Sequence, residues 1–136
     1  MDCSYYIAVF YLPECQSIKI GKLGTFNFSK GYYFYVGKDR RNIRARVSRH
    51  ISLRKKCRWH IDYLSLTAEP VFVCFLDDRR EGECKIQTQL KAIGGEITVP
   101  GFGASDCTCE SHLLYFTCIP EAFYQMFLTG REKCET

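Results

Sequence analysis

Apolar and polar positions along the chain follow two different periods, and the switches between them divide it into elements. SYYIAVFYL (4–12) is a nearly unbroken apolar run rich in aromatic and β-branched residues and stopped by Pro13, which predicts a buried strand. SIKIGKL (17–23) alternates, predicting a half-exposed strand, and 24–31 reads as a turn region. YYFYVG (32–37) predicts a third strand, with Tyr33 and Tyr35 on one face and Tyr32, Phe34 and Val36 on the other. Beyond Gly37 the period becomes helical. Asn42 is a suitable N-cap, and Ile43, Val47 and Ile51 recur one turn apart.

WHIDYL (59–64) predicts a short helical or extended segment leading to a second sheet region, and the continuous apolar run VFVCFL (71–76) a central strand. From Glu83 to Ile93 the residues Ile86, Leu90 and Ile93 form an inward helical stripe that Gly94-Gly95 ends. Residues 94–111 predict a long glycine-containing loop, a length usually kept for function. HLLYFTC (112–118) predicts a strand, and EAFYQMFL (121–128) a closing helix behind Pro120. Strands and helices mix without regular alternation, so the expected class is α+β: a small, mostly antiparallel sheet flanked by helices, forming a single domain over residues 1–136.

Composition changes this picture in two ways. Nearly half of the 136 residues are apolar, which excludes a disordered chain. The net charge of +4 is unevenly placed: ten of the nineteen Lys and Arg fall between Lys38 and Arg58, against one acid, Asp39, so the remainder of the chain is acidic. That asymmetry fits a basic face aimed at a polyanion, or a solvated helix surface. Nine cysteines without a secretory signal, and no apolar run long enough to span a bilayer, point to a reducing cytoplasm with most cysteines buried as small apolar side chains.

Five groups carry candidate chemistry. At about 100° per residue, Arg46 and His50 flank the Ile43/Val47/Ile51 stripe, so the Arg46 guanidinium is placed to be half buried. Such a group needs an anion, either an acidic side chain or a phosphate. Glu83 opens its helix on the side turned inward by Ile86 and Leu90, where it serves as a hard-metal ligand or as a complement to the helix dipole. Cys107-Thr-Cys109-Glu-Ser-His112, with Cys84 as a fourth ligand, has the composition of a zinc site, although C-x-C is tighter than the usual spacing; buried thiols are the other reading. Gly101-Phe102-Gly103-Ala104-Ser105 offers backbone N–H groups to a phosphate. In WHIDYL, His60 and Asp62 are either catalytic helpers or members of a local hydrogen bond beneath Trp59.

Taken together, these residues resemble the GIY-YIG nuclease superfamily, in particular a compact stand-alone branch of it. Tyr35-Val36-Gly37 matches the second half of the name motif, and Lys38 with Asn42-Ile43-Arg44-Ala45-Arg46-Val47 matches the run into the arginine helix. Cys3-Ser4-Tyr5 stands where Gly-Ile-Tyr is expected, leaving Tyr5 as the match and Tyr6 as its rival. The long separation of Tyr5 from Tyr35 makes the 17–23 strand a lateral insertion. The resemblance implies a DNA endonuclease, structure-dependent rather than sequence-specific and related to repair. Its catalytic residues would be Tyr5, activating water, Tyr35, orienting water or phosphate, and Arg46, stabilising charge on the phosphoryl oxygens. His50 would orient Arg46 or touch phosphate, or simply pack in the helix. Glu83 would hold a single Mg²⁺ or Mn²⁺. Lys38, Arg40, Arg41, Arg49, Arg54, Lys55, Lys56 and Arg58 would grip the backbone of DNA, with RNA also open, and no membrane is involved. Two rivals stand beside the nuclease: a non-catalytic nucleic-acid-binding module, and a zinc- or redox-responsive accessory protein.

Overall fold

Strand β1 (Cys3–Leu12) is the axis of the molecule. Here, as throughout, we describe a computed structural model, which covers residues 3–38, 60–77, 82–103, 110–127 and 133–135; for 3, 4, 77, 83 and 133–135 it describes the backbone alone. After β1 come β2 (Gln16–Lys19), β3 (Thr25–Phe28), β4 (Gly31–Lys38), helix α1 (His60–Ser65), β5 (Glu69–Asp77), α2 (Glu83–Ala92), β6 (Leu113–Phe116), α3 (Glu121–Phe127) and β7 (Lys133–Glu135). Five strands form one sheet in the order β6-β4-β1-β5-β7, every pair antiparallel, and β2-β3 form a separate two-stranded ribbon. The class is α+β.

β1 reads as continuously apolar because both of its faces are covered. Tyr6, Ala8, Phe10 and Leu12 point into a core shared with Tyr33, Tyr35, Ile61, Leu64, Phe102 and the β2-β3 ribbon. Tyr5, Ile7 and Val9 point the other way, into a core with Phe34, Val36, Leu76, Ile86, Leu90, Phe123 and Phe127. In that second core Phe34 packs against Phe116 with ring centroids 4.6 Å apart and meets Phe123 edge-on at 4.9 Å. Helix α1 and the ribbon lie on the first face, α2 and α3 on the second.

Several expectations need correction. Residues 24–31 are not only a turn: a 3-10 turn at Gly21–Leu23 reverses the chain and β3 returns along β2, with Ser17 Oγ donating to Asn27 Oδ1 at 2.8 Å. The local signal was the alternation Thr25-Phe26-Asn27-Phe28, whose Phe28 is buried while Thr25 and Asn27 are exposed. The ribbon is indeed lateral, since β1 and β4 on either side of it pair directly. β5 does not begin a second sheet; it pairs with β1. β7 was not foreseen, being three residues of a polar tail that only the edge of β5 makes into a strand. The long loop is pinned as well. Glu96 and Tyr115 exchange backbone hydrogen bonds of 3.0 and 2.8 Å, Gly101 N–H donates to Glu110 O at 2.7 Å, and Val99 and Phe102 are fully buried. The predicted helix from Asn42 lies outside the described residues.

Candidate functional site

The antiparallel registers fix which tyrosine can join Tyr35. Tyr6 is opposite Gly37 and Ala8 opposite Tyr35, so Tyr6 and Tyr35 lie on the same sheet face. Their ring centroids are 6.2 Å apart at 53°. Tyr5, the expected first-motif residue, is opposite Lys38 and Leu76 and turns into the other core, where it is 6% exposed among residues such as Ile7, Leu76 and Ile86. Successive side chains of a strand point to opposite faces, so Tyr5 and Tyr35 cannot share a site. Tyr6, the rival reading, is the one that shares a face with Tyr35.

Gly37 explains how Tyr6 is held. A Cβ at position 37 would sit 2.3 Å from both the hydroxyl oxygen and Cζ of Tyr6, so the phenol lies directly against the β4 backbone and only a residue without a side chain leaves room. The opposing wall comes from the pinned loop. Phe102 meets Tyr35 edge-on at 6.1 Å, and Gly103, at φ 68°, brings its peptide beside the Tyr35 ring. Gly103 N–H donates to His60 Nδ1 at 2.8 Å, which joins the first residue of α1 to the same wall. His112, a zinc candidate from its sequence neighbours, is a framework residue: its N–H donates to Phe102 O at 2.8 Å and its carbonyl accepts from Val36 N–H at 2.9 Å.

Burial lowers the pKa of both His60 and His112 below the ordinary histidine value, so both rings are neutral near pH 7. The unfolded chain therefore binds more protons than the folded one in the window from about 6.5 down to each lowered pKa. Stability should be full above that window and fall as pH drops through it. A melting-temperature series between pH 8 and pH 5 checks this, and His112→Gln should flatten the acid limb. At the opposite end of β4, burial chiefly, with Tyr115 beside it, raises the Tyr33 pKa; Tyr33 donates to Ser29 O at 2.7 Å and serves the core.

The other expected site residues fall into two groups. Lys38 is exposed at the last position of β4, beside the start of β1. The Glu83 backbone opens α2, six residues after β5 ends at Asp77. Because β1 is antiparallel to both neighbours, the start of β1 and the ends of β4 and β5 share one end of the sheet, and the segment after Lys38 and the connection to α2 both leave from there. Arg46, His50, Arg40, Arg41, Arg49, Arg54, Lys55, Lys56 and Arg58 lie outside the described residues, as do Cys107 and Cys109. Cys84 is disulfide-bonded, which removes it as a thiolate ligand and takes the fourth member from the proposed zinc set. Nor do the cysteines behave uniformly as buried apolar groups: of the free ones among the described residues, Cys74 is buried and Cys15 and Cys118 are exposed. Asp62 is wholly buried. Among the described residues no group of three His, Cys, Asp or Glu side chains could hold a metal ion, and no helix is long and apolar enough to cross a membrane.

The sequence offers Gly101–Ser105 as backbone donors to a phosphate, but the N–H groups of Gly101, Phe102 and Gly103 are taken by Glu110 O, Val99 O and His60 Nδ1. Positions 104 and 105 lie outside the described residues, and Tyr6 ranked second. No sequence signal selects Tyr6 over Tyr5; the register, which sets Ala8 opposite Tyr35, is what shows that Tyr6 shares its face.

No curated protein and no solved structure matches the chain. Residues 5–131 match the family described as Domain of unknown function DUF123, a span that includes both tyrosine strands, the whole basic segment, α2 and the pinned loop. The protein belongs to that family.

Proposed function

We propose that the protein is a metal-dependent endonuclease of the GIY-YIG type, acting in the cytoplasm on DNA of particular structure, including repair substrates, with Tyr6 in place of Tyr5. The observation that carries this reading is the pairing of Tyr6 and Tyr35 on one face of the sheet, at the end from which the ten-cation segment departs. Phosphodiester hydrolysis needs an oriented water, stabilisation of charge at phosphorus and relief of charge on the departing oxygen. Two phenols 6.2 Å apart are suited to the first need: one hydroxyl accepts a proton from water while the other fixes the phosphate. A tyrosine is a weak base at neutral pH, and cations close by favour its phenolate. Arg46 would supply such a charge and also meet the phosphoryl oxygens, whereas Lys38, opposite Tyr5, is placed on the other face of the sheet. Glu83 would hold the divalent ion, whose positive charge would offset that of the leaving oxygen; Mg²⁺ and Mn²⁺ suit a single carboxylate because they keep most of their water and take the rest of their ligands from phosphate. The basic residues of 38–58 grip the sugar-phosphate backbone, so affinity falls steeply with salt.

The test is nicking of supercoiled and branched DNA with Mg²⁺ or Mn²⁺. Arg46→Ala and Glu83→Ala should each lower the rate by roughly a hundredfold with binding largely kept. Full cutting by both variants would reject the site. Binding without cutting by the unaltered protein would leave a nucleic-acid-binding module.

A further inference from the structure

The nuclease reading makes no use of the far edge of the sheet, where β5 and β7 set two cysteines against each other. β7 is the outermost strand, and its register with β5 puts Cys134 directly opposite Cys74, between the pairs Val73–Glu135 and Phe75–Lys133. Among the described residues no other strand pairing joins two cysteines. Cys74 is a thiol, fully buried in the core with Ile7, Phe72 and Leu76. Opposite residues of an antiparallel pair belong to one face, so the register places Cys134 on the face of Cys74.

That register alone brings the two within reach of a covalent bond. Opposite Cα atoms of an antiparallel ladder are about 5.5 Å apart in hydrogen-bonded pairs and about 4.5 Å in the others. A disulfide spans about 4.4–6.8 Å between Cα atoms, so neither kind of pair requires the backbone to move. β7 has three residues, Lys133 to Glu135, and the ladder that holds it to β5 is correspondingly short. A bond between positions 74 and 134 would close a long loop containing α2, β6 and α3, and closing such a loop strongly restricts the unfolded chain.

We propose that Cys74 and Cys134 are a redox pair: two thiols under reducing conditions, and a disulfide that fastens β7 to the sheet when a low-molecular-weight disulfide such as oxidised glutathione is present. A Cys134 thiolate attacks one sulfur of oxidised glutathione, whose S–S bond breaks to release one glutathione thiolate and leave a mixed disulfide. The Cys74 thiolate then attacks Cys134 Sγ and displaces the second glutathione. The two protein thiols lose two protons and two electrons, and one glutathione disulfide becomes two thiols. Burial sets the order, because a fully buried thiol ionises poorly and is shut off from the oxidant. The outer strand therefore reacts first and Cys74 resolves the mixed disulfide. Oxidation makes permanent the cover that β7 gives to the edge of β5.

The full chain is equilibrated in glutathione buffers of rising oxidised fraction, and its disulfides are mapped on peptides prepared without reduction. A link between Cys74 and Cys134 is expected, reversed by excess reduced glutathione. Cys134→Ser supplies a second readout, since it alters an edge strand and leaves the buried Cys74 in place. In reductant this variant should melt within about 2 °C of the unaltered protein, as a surface substitution does. In the oxidised buffer the unaltered protein should melt roughly 10 °C above the variant. Any other disulfide, that of Cys84 included, is common to both proteins and cancels in the comparison. Oxidised protein in which Cys134 ends on glutathione or on any cysteine but Cys74 would overturn the proposal. So would equal melting of the two oxidised proteins. Neither measurement reads DNA cleavage, so the result holds whether or not the protein is a nuclease.

Discussion

Replacing Tyr6 by phenylalanine should cut DNA cleavage by roughly a hundredfold or more, the scale of a lost proton-transfer group, with little change in melting temperature. The same substitution at Tyr5 should leave cleavage within about twofold, as expected for a change remote from the chemistry. The contrast follows from strand geometry: neighbours in the chain, the two residues are on opposite sides of the sheet. Tyr6 faces Tyr35 and Phe102, and Tyr5 lies beneath α2 with Leu76 and Ile86. Tyr5 should reveal itself instead through stability. Tyr5→Ala removes a buried ring and should cost about 3–5 kcal/mol, read by denaturant unfolding. Equal cleavage loss from the two phenylalanine variants would remove the basis for assigning Tyr6.

Gly37→Ala should be nearly as damaging, by another route. The new methyl group would fall 2.3 Å from the Tyr6 hydroxyl oxygen and Cζ, far inside van der Waals contact, and Tyr6 is fully buried with no free direction in which to swing. Either the ring leaves its place or β1 and β4 separate. The expected result is a loss of about 1–3 kcal/mol in stability, typical of overpacking, together with cleavage reduced to the level of Tyr6→Phe. A double-mutant cycle identifies the cause: in a Tyr6→Ala background, where no ring is present to clash, the penalty for Gly37→Ala should largely vanish. An unchanged penalty would place the strain in the backbone of β4 and not in the contact with Tyr6.

What could be read before the structure was whatever local pattern dictates. The apolar runs 4–12, 32–37 and 71–76 became β1, β4 and β5, and the stripe from Ile86 to Leu90 became the buried side of α2, because burial imposes its own period. The split of Tyr33 and Tyr35 from Phe34 and Val36 held for the same reason. Distant partners decided the rest. β7 exists only because the edge of β5 offers it hydrogen-bonding groups. The candidate site depended on a choice between adjacent tyrosines, and composition gives no preference there, since both sides of β1 are buried. Only the pairing with Gly37 makes the choice. The wall formed by Phe102 and Gly103 was hidden in a segment that looked irregular, and its order comes from Glu96, Glu110 and His60, which lie up to 43 residues away in sequence.

The Tyr5-Tyr6 doublet has a consequence for how the chain finds its native pairing. In a strand with one wet face, a one-residue slip is penalised at once by turning polar groups inward. β1 has no such safeguard: Tyr5, Ile7 and Val9 could exchange sides with Tyr6, Ala8 and Phe10 and still be sheltered from water, and a tyrosine would still stand beside Tyr35. What distinguishes the frames is the pairing with β5. Its irregularities, between Cys3 and Tyr5 and between Val9 and Phe10, interrupt a slip from either end. Two local faults in the ladder thus act as the alignment marks for β1.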